Sequence, residues 1–127
     1  MTKTIKTVNE MTLNEIADLI YANNNIKGFN DEKDTEKWIA NQLLNMHGEL
    51  AELHEAYRSG KENQVCDKTA SMVAIGLPIL TCEEEEATDL LIRILGFMRH
   101  RKINIPESIF AKHSYNITRP HMHEKKN

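Results

Sequence analysis

Gly48-Glu49-Leu50-Ala51-Glu52-Leu53-His54-Glu55-Ala56 and its later counterpart Glu83-Glu84-Glu85-Glu86-Ala87-Thr88-Asp89 decide how this chain folds. Each holds two carboxylates three residues apart inside an apolar-periodic run, and helical pitch puts both acids on nearly one face. Each is therefore half of a potential metal cage. Four carboxylates converging from two antiparallel helices repel one another unless cations lie between them, and hard divalent ions such as Mg²⁺ prefer oxygen ligands. Phosphate-ester or anhydride cleavage is the simplest chemistry for such a cage.

Around the first run the pattern predicts a long helix from about Thr35 to Arg58. Ile39, Leu43, Met46, Leu50, Leu53 and Tyr57 fall at alternating steps of four and three, the spacing of a seam packed against neighbouring helices. Glu49 and Glu52 flank that seam. Acids beside a seam are partly desolvated and need partners, whereas acids on a solvated edge need none. Around the second run, Glu83, Glu84 and Glu85 suit the positive end of a helix dipole, which explains them without further chemistry. Glu86 and Asp89 differ, because they adjoin the stripe Ala87, Leu90, Leu91, Ile94, Phe97 and Met98. Antiparallel helices would bring them opposite Glu49 and Glu52.

The remaining elements are shorter. Residues 1–11 are polar and aperiodic, so a loose N-terminal arm is expected. Thr12 and Glu15 form a capping-box pattern ahead of Leu13, Ile16, Ala17, Leu19 and Ile20, and Gly28 is a stop signal. In the following loop Phe29 reads as a plug over the core. Met72 to Leu80 is apolar but interrupted by Gly76 and Pro78, so residues 61–82 are expected to be a connector. Arg99-His100-Arg101-Lys102 complements a helix C-terminus. Pro106 opens a fourth helix at its first position, with Ile109 and Phe110 facing the core. Lys112, Tyr115, Asn116 and Arg119 follow, either as surface residues or as the donors a polyphosphate requires. Residues 120–127 read as a mobile tail in which His121 and His123 are solvated.

Composition bounds the chemistry. The 127 residues fit one domain, 1–127, and the net charge of -3 argues against general affinity for nucleic acid or anionic membrane. No apolar run reaches membrane-spanning length and the N-terminus lacks the apolar segment of a signal peptide, so a cytoplasmic protein is expected. Cys66 and Cys82 are too few for a disulfide framework and read as reduced. A ferritin-like di-iron bundle would need a Glu-x-x-His repeat, and no glutamate has a histidine three residues later.

Glu49-Leu-Ala-Glu52 followed by Glu86-Ala-Thr-Asp89 resembles the ExxE and ExxD motifs of the MazG-like, all-α nucleoside triphosphate pyrophosphohydrolases. Gly28-Phe29, the Gly76-Leu77-Pro78 connector, Asp89-Leu-Leu-Ile-Arg93 and Lys112-His-Ser-Tyr115-Asn116-Ile-Thr-Arg119-Pro120 occur in that family's order. The likeness covers about Leu13 to His123, with a longer stretch between Glu52 and Glu86 than shorter members have. It implies an all-α, four-helix-bundle-like fold whose helices contribute to an oligomeric bundle, as a homodimer or homotetramer. It also implies hydrolysis of a nucleoside or deoxynucleoside triphosphate to monophosphate and pyrophosphate, in nucleotide-pool control or sanitation. Glu49, Glu52, Glu86 and Asp89 would be the catalytic Mg²⁺ ligands, with Mn²⁺ as a substitute. Lys112, Tyr115 and Asn116 would contact phosphate and sugar, joined by Arg119. Trp38 and Phe29 are candidates for lining a base pocket, and Glu55 is a candidate proton acceptor. The competing expectation is a catalytically silent helical module that binds nucleotide or a partner, since a fold does not guarantee a function.

Overall fold

A computed structural model describes residues 7–120. The first six residues of the expected arm and the tail from 121, with His121 and His123, lie outside the described residues. A short 3₁₀ turn, Val8–Glu10, precedes five helices: α1 (Leu13–Ile26), α2 (Thr35–Arg58), α3 (Thr69–Ala74), α4 (Cys82–His100) and α5 (Ile105–Ile117). Among the described residues there is no strand, only an isolated antiparallel bridge between Val65 and Thr81. No described helix is long and apolar enough to cross a membrane.

Local chemistry sets these boundaries. Thr12 and Glu15 close the predicted capping box, the Thr12 amide donating to Glu15 Oε1 at 3.2 Å and the Glu15 amide to Thr12 Oγ1 at 3.1 Å. Thr81 and Glu84 repeat it at the start of α4, which therefore opens at Cys82, one residue ahead of the acidic run. Asp34 caps α2, and Gly28 and Gly60 end α1 and α2 in the left-handed conformation that an L side chain resists. In α5 the cap is Asn104 and the first position is Ile105, so Pro106 is second rather than first. The connector is a hairpin-like excursion pinned at its base, where the Cys66 amide donates to the Leu80 carbonyl at 2.8 Å and the Cys82 amide to the Gln64 carbonyl at 2.7 Å. Within it α3 stops at Ala74, before Gly76 and Pro78, as helix-breaking residues require.

Helix α4 is the centre of the molecule: α2 packs along it most extensively, α1 along another flank, and α5 touches α1 and α4. Residue pairs descend along α2 and α4, with Trp38 beside His100 and Glu49 beside Arg93, so the two helices are antiparallel. At one end the Trp38 ring stacks on Phe97 and His100, with centroids 5.6 and 4.0 Å apart, and its indole N–H donates to Asn30 Oδ1 at 3.0 Å. Ala17, Leu95 and Ile105 form the buried cluster among α1, α4 and α5.

Three expectations need correction. Helix α2 turns Trp38, Gln42 and Ala56 inward, so the predicted seam lies on its flank, with Leu43, Leu50 and Tyr57 about half exposed. Phe110 is 74 % exposed and Ile109 is 49 % exposed, whereas Ile105 is the residue α5 buries. On α4 the buried positions are Glu85, Leu95 and Gly96, while Ala87 and Leu91 face out. Within one chain, much of the apolar periodicity on α2, α4 and α5 is uncovered surface.

Gly96 allows α1 to approach α4 closely, since an added Cβ would lie 2.7 Å from Asn24 Nδ2 and 3.3 Å from Ile20 Cγ2. Gly96→Leu is expected to overpack this contact and lower the unfolding free energy by about 1–3 kcal/mol in urea denaturation.

Candidate metal centre

The site forms where the middle of α2 faces the first half of α4. Because α2 and α4 run antiparallel, Glu49 and Glu52 on one meet Glu86 and Asp89 on the other. Carboxylate oxygens of Glu49, Glu52 and Glu86 lie within 4.8 Å of one another. Three of the four predicted ligands are thus gathered, and Asp89 stands beside them, sharing a cavity with Glu49.

The electrostatics are those of crowded acids. Burial pushes the Glu49 carboxyl above its ordinary range, and Glu52 adds to this, while Arg93 counters it with its Nε 3.3 Å from Glu49 Oε1. Burial, a hydrogen bond shared with Glu52 and the charges around it push the Glu86 carboxyl up to about 7. Glu86 Oε2 is shielded from solvent and accepts no hydrogen bond. Asp89 is raised too, by burial first and then by Glu85, with Lys68 pulling the other way. Crowded carboxylates that take up protons to relieve their repulsion would be relieved in the same way by a bound cation, which displaces the proton.

Two separate cavities border these carboxylates. One, of about 520 Å³, is bordered by Glu52, Glu86, Glu85, Ser59, Lys61 and Gln64. The other, of about 280 Å³, is bordered by Glu49, Asp89, Phe29, Asn24 and Gln42, with Arg93 over the Phe29 ring at 5.5 Å from its centroid. Phe29 is therefore no plug: it is 48 % exposed and lines a cavity. Trp38 is 3 % exposed and lines neither cavity, so its place is in the core. Glu55 pairs with Arg58 at 2.6 Å, which holds its carboxyl below the ordinary range and makes it a poorer base than its neighbours.

The predicted phosphate and sugar contacts form their own group on α5. The Lys112 ammonium and the Arg119 guanidinium flank the exposed Tyr115 ring, 4.9 and 5.8 Å from its centroid. Lys112 and Asn116 border a cavity beside Met98, and Asn116 Oδ1 is shielded without a partner. Met98 lies nine residues along α4 from Asp89, about 13 Å of helix rise. Within one chain the structure does not bring this group to the acids.

Three residues at the site received no site role from the sequence, Arg93 being quoted there only as the end of the Asp89–Arg93 motif. Arg93 follows Asp89 by one helical turn, a spacing that marks a same-face partner for the cage. Glu85 was assigned to the dipole, yet its side chain is 8 % exposed and paired with Lys68 of the connector. Its signal was the i, i+4, i+11 series Glu85, Asp89, Gly96, which lies on one covered side of the helix. Lys68 carried no local signal, because only the connector's fold brings it to α4.

No protein-family model, no curated protein and no solved structure matches this chain.

The raised Glu86 carboxyl gives the protein without metal a pH signature. Its folded value lies above the ordinary 4.5, so its contribution to stability is fully present below 4.5 and is lost as pH rises through about 7. In EDTA, the melting temperature is expected to fall between about pH 5 and pH 8, and Glu86→Gln to flatten that slope. Differential scanning fluorimetry across the range checks this.

Proposed function

We propose that this protein is a Mg²⁺-dependent nucleotide pyrophosphohydrolase, cleaving nucleoside or deoxynucleoside triphosphates to monophosphate and pyrophosphate in a cytoplasmic nucleotide pool. The carrying observation is the set of carboxylate oxygens from Glu49, Glu52 and Glu86 within 4.8 Å, one of whose members, Glu86, keeps a shielded oxygen without a partner. Oxygen-only donors at that spacing fit Mg²⁺, with Mn²⁺ as substitute, better than a softer ion.

Glu49, Glu52 and Glu86 hold the ion in this reading, and Asp89 completes the set. The ion would offset the polyphosphate charge and activate a water for attack on phosphorus. The chain supplies the rest. Arg93 fixes the Glu49 carboxylate and sits over Phe29, so the smaller cavity suits a nucleobase, with Phe29 as a stacking face and Asn24 and Gln42 as amides for its edges. Water adds to phosphorus, the α–β anhydride bond breaks, pyrophosphate leaves, and a cage carboxylate accepts the water's proton.

The donors on α5 belong to this scheme through a second copy. Their distance from the acids along α4, with the half-exposed Leu43, Leu50 and Tyr57 on α2 and Phe110 and Ile117 on α5, favours a homodimer or homotetramer. In it Lys112, Tyr115, Asn116 and Arg119 of one copy would reach the polyphosphate held by another.

The test is a panel of ribo- and deoxyribonucleoside triphosphates with and without Mg²⁺, with products identified by phosphorus NMR. Monophosphate and pyrophosphate are expected, only with the ion present; diphosphate and orthophosphate, or no turnover, contradict the reading. Glu52→Gln is expected to keep the helical circular dichroism and lose at least the roughly hundredfold that removing an outer-sphere metal partner costs.

A further inference from the structure

Glu85 is a fifth carboxylate at the cage that takes no part in it. It precedes Glu86 directly, sits one turn before Asp89, and borders the same cavity as Glu52 and Glu86. Its side chain is only 8 % exposed, so its charge needs a partner. The helix start does not supply one, because the Glu84 side chain already completes the cap with Thr81. The partner is Lys68, whose ammonium donates to Glu85 Oε1 and also lies 3.3 Å from Asp67 Oδ1.

The placement of Lys68 is built into the connector. Two residues before it, Cys66 is 2 % exposed and its amide is bonded to Leu80, while the amides of Cys82 and Glu83 bond back to Gln64 and Glu62. These contacts fix the connector's base against the first turn of α4, and Lys68 just past that base meets Glu85 across it. Glu85 adjoins Glu86, stands one turn before Asp89 and borders the cavity lined by Glu52 and Glu86, so the pair lies within Coulombic reach of the ligands.

We infer that Lys68 is a resident counter-ion that holds Glu85 out of the metal cage and so sets how tightly the cage takes up a divalent cation. The inference rests on the metal reading above. Lys68 acts through Glu85 and is a positioning residue: with its ammonium in place the neighbourhood of the cage carries one negative charge fewer, and the Glu85 oxygens are engaged. Without it, Glu85 is free to turn towards Glu52 and Glu86. Arg93 plays the matching part at the other end by engaging Glu49. The connector is thereby coupled to the occupancy of the site it borders.

The sign of the effect separates this role from a structural one. A lysine that merely braces the connector would, when removed, loosen the site and weaken ion binding, whereas removing a counter-ion strengthens it. Mn²⁺ titration of the full chain, read by electron paramagnetic resonance of the free ion, is the test. Lys68→Met is expected to bind Mn²⁺ about tenfold tighter than wild type, the scale of one unit charge acting on a divalent ion in a partly solvated site. Lys68→Arg is expected to match wild type, and the double variant Lys68→Met with Glu85→Gln to return near it. Equal or weaker binding by a folded Lys68→Met protein overturns the inference while leaving the metal reading intact. Should Lys68→Met fail to fold, Glu85→Gln alone, which leaves the Lys68 ammonium with only Asp67 as its partner, is expected to bind more weakly than the double variant; equal affinities would overturn the inference. A wild-type protein that takes up no Mn²⁺ removes the metal reading itself, and the inference with it.

Discussion

Repulsion among carboxylates along the contact between α2 and α4 is the constraint to which the rest of the structure answers. Glu49, Glu52, Glu85, Glu86 and Asp89 are brought together by the same antiparallel packing that gives the molecule its largest helix pair. Like charges at such distances oppose that packing, more so where burial lowers the effective dielectric. The chain offsets them with Arg93 at one end and Lys68 at the other, while burial and a hydrogen bond with Glu52 push the Glu86 carboxyl up in the middle. Further along, the stack of Trp38 on Phe97 and His100 clamps the two helices by ring contact away from the crowded acids. A cation bound among these acids would relieve the repulsion, and its binding would then contribute to folding.

The same packing leaves apolar surface uncovered. Among the described residues six apolar side chains are buried, while twenty-one large hydrophobics are exposed by more than a third, many of them on the outer faces of α2 and α5 and on the connector. Isolated exposed hydrophobics are ordinary, but aligned faces such as Leu43, Leu50 and Tyr57 call for a partner. The second copy proposed above would cover such faces and would also bridge the distance between the α5 donors and the acids. The connector adds Val73, Ile75, Leu77 and Ile79 to that uncovered surface.

Much of the architecture was legible because its signals are local. The capping box at Thr12, the span Thr35 to Arg58 and the breaks at Gly76 and Pro78 each follow from residues within a turn of one another. The paired acids were legible too, since a three-residue spacing on two antiparallel helices leaves them little choice but to face one another. Which flank of each helix is covered was not legible, because a heptad seam looks the same whether its partner is in the chain or in another copy. That is why Leu50 and Phe110, read as core, stand exposed, and why Trp38, considered for a base pocket, is core. Lys68 and Glu85 were hidden for the opposite reason: seventeen residues separate them, and only the pinned base of the connector makes them neighbours.

The most direct measurement of the central claim is the melting temperature of the wild-type protein at about pH 8, in EDTA and then with Mg²⁺. The account predicts a rise of roughly 10 °C at a hundredfold excess over the dissociation constant, because an ion that binds only the folded cage stabilises it by mass action. The rise should vanish when Glu49, Glu52 and Glu86 are replaced together by glutamine. No rise in the wild type, or an equal rise in the triple variant, would contradict the claim that these carboxylates meet in order to hold a cation.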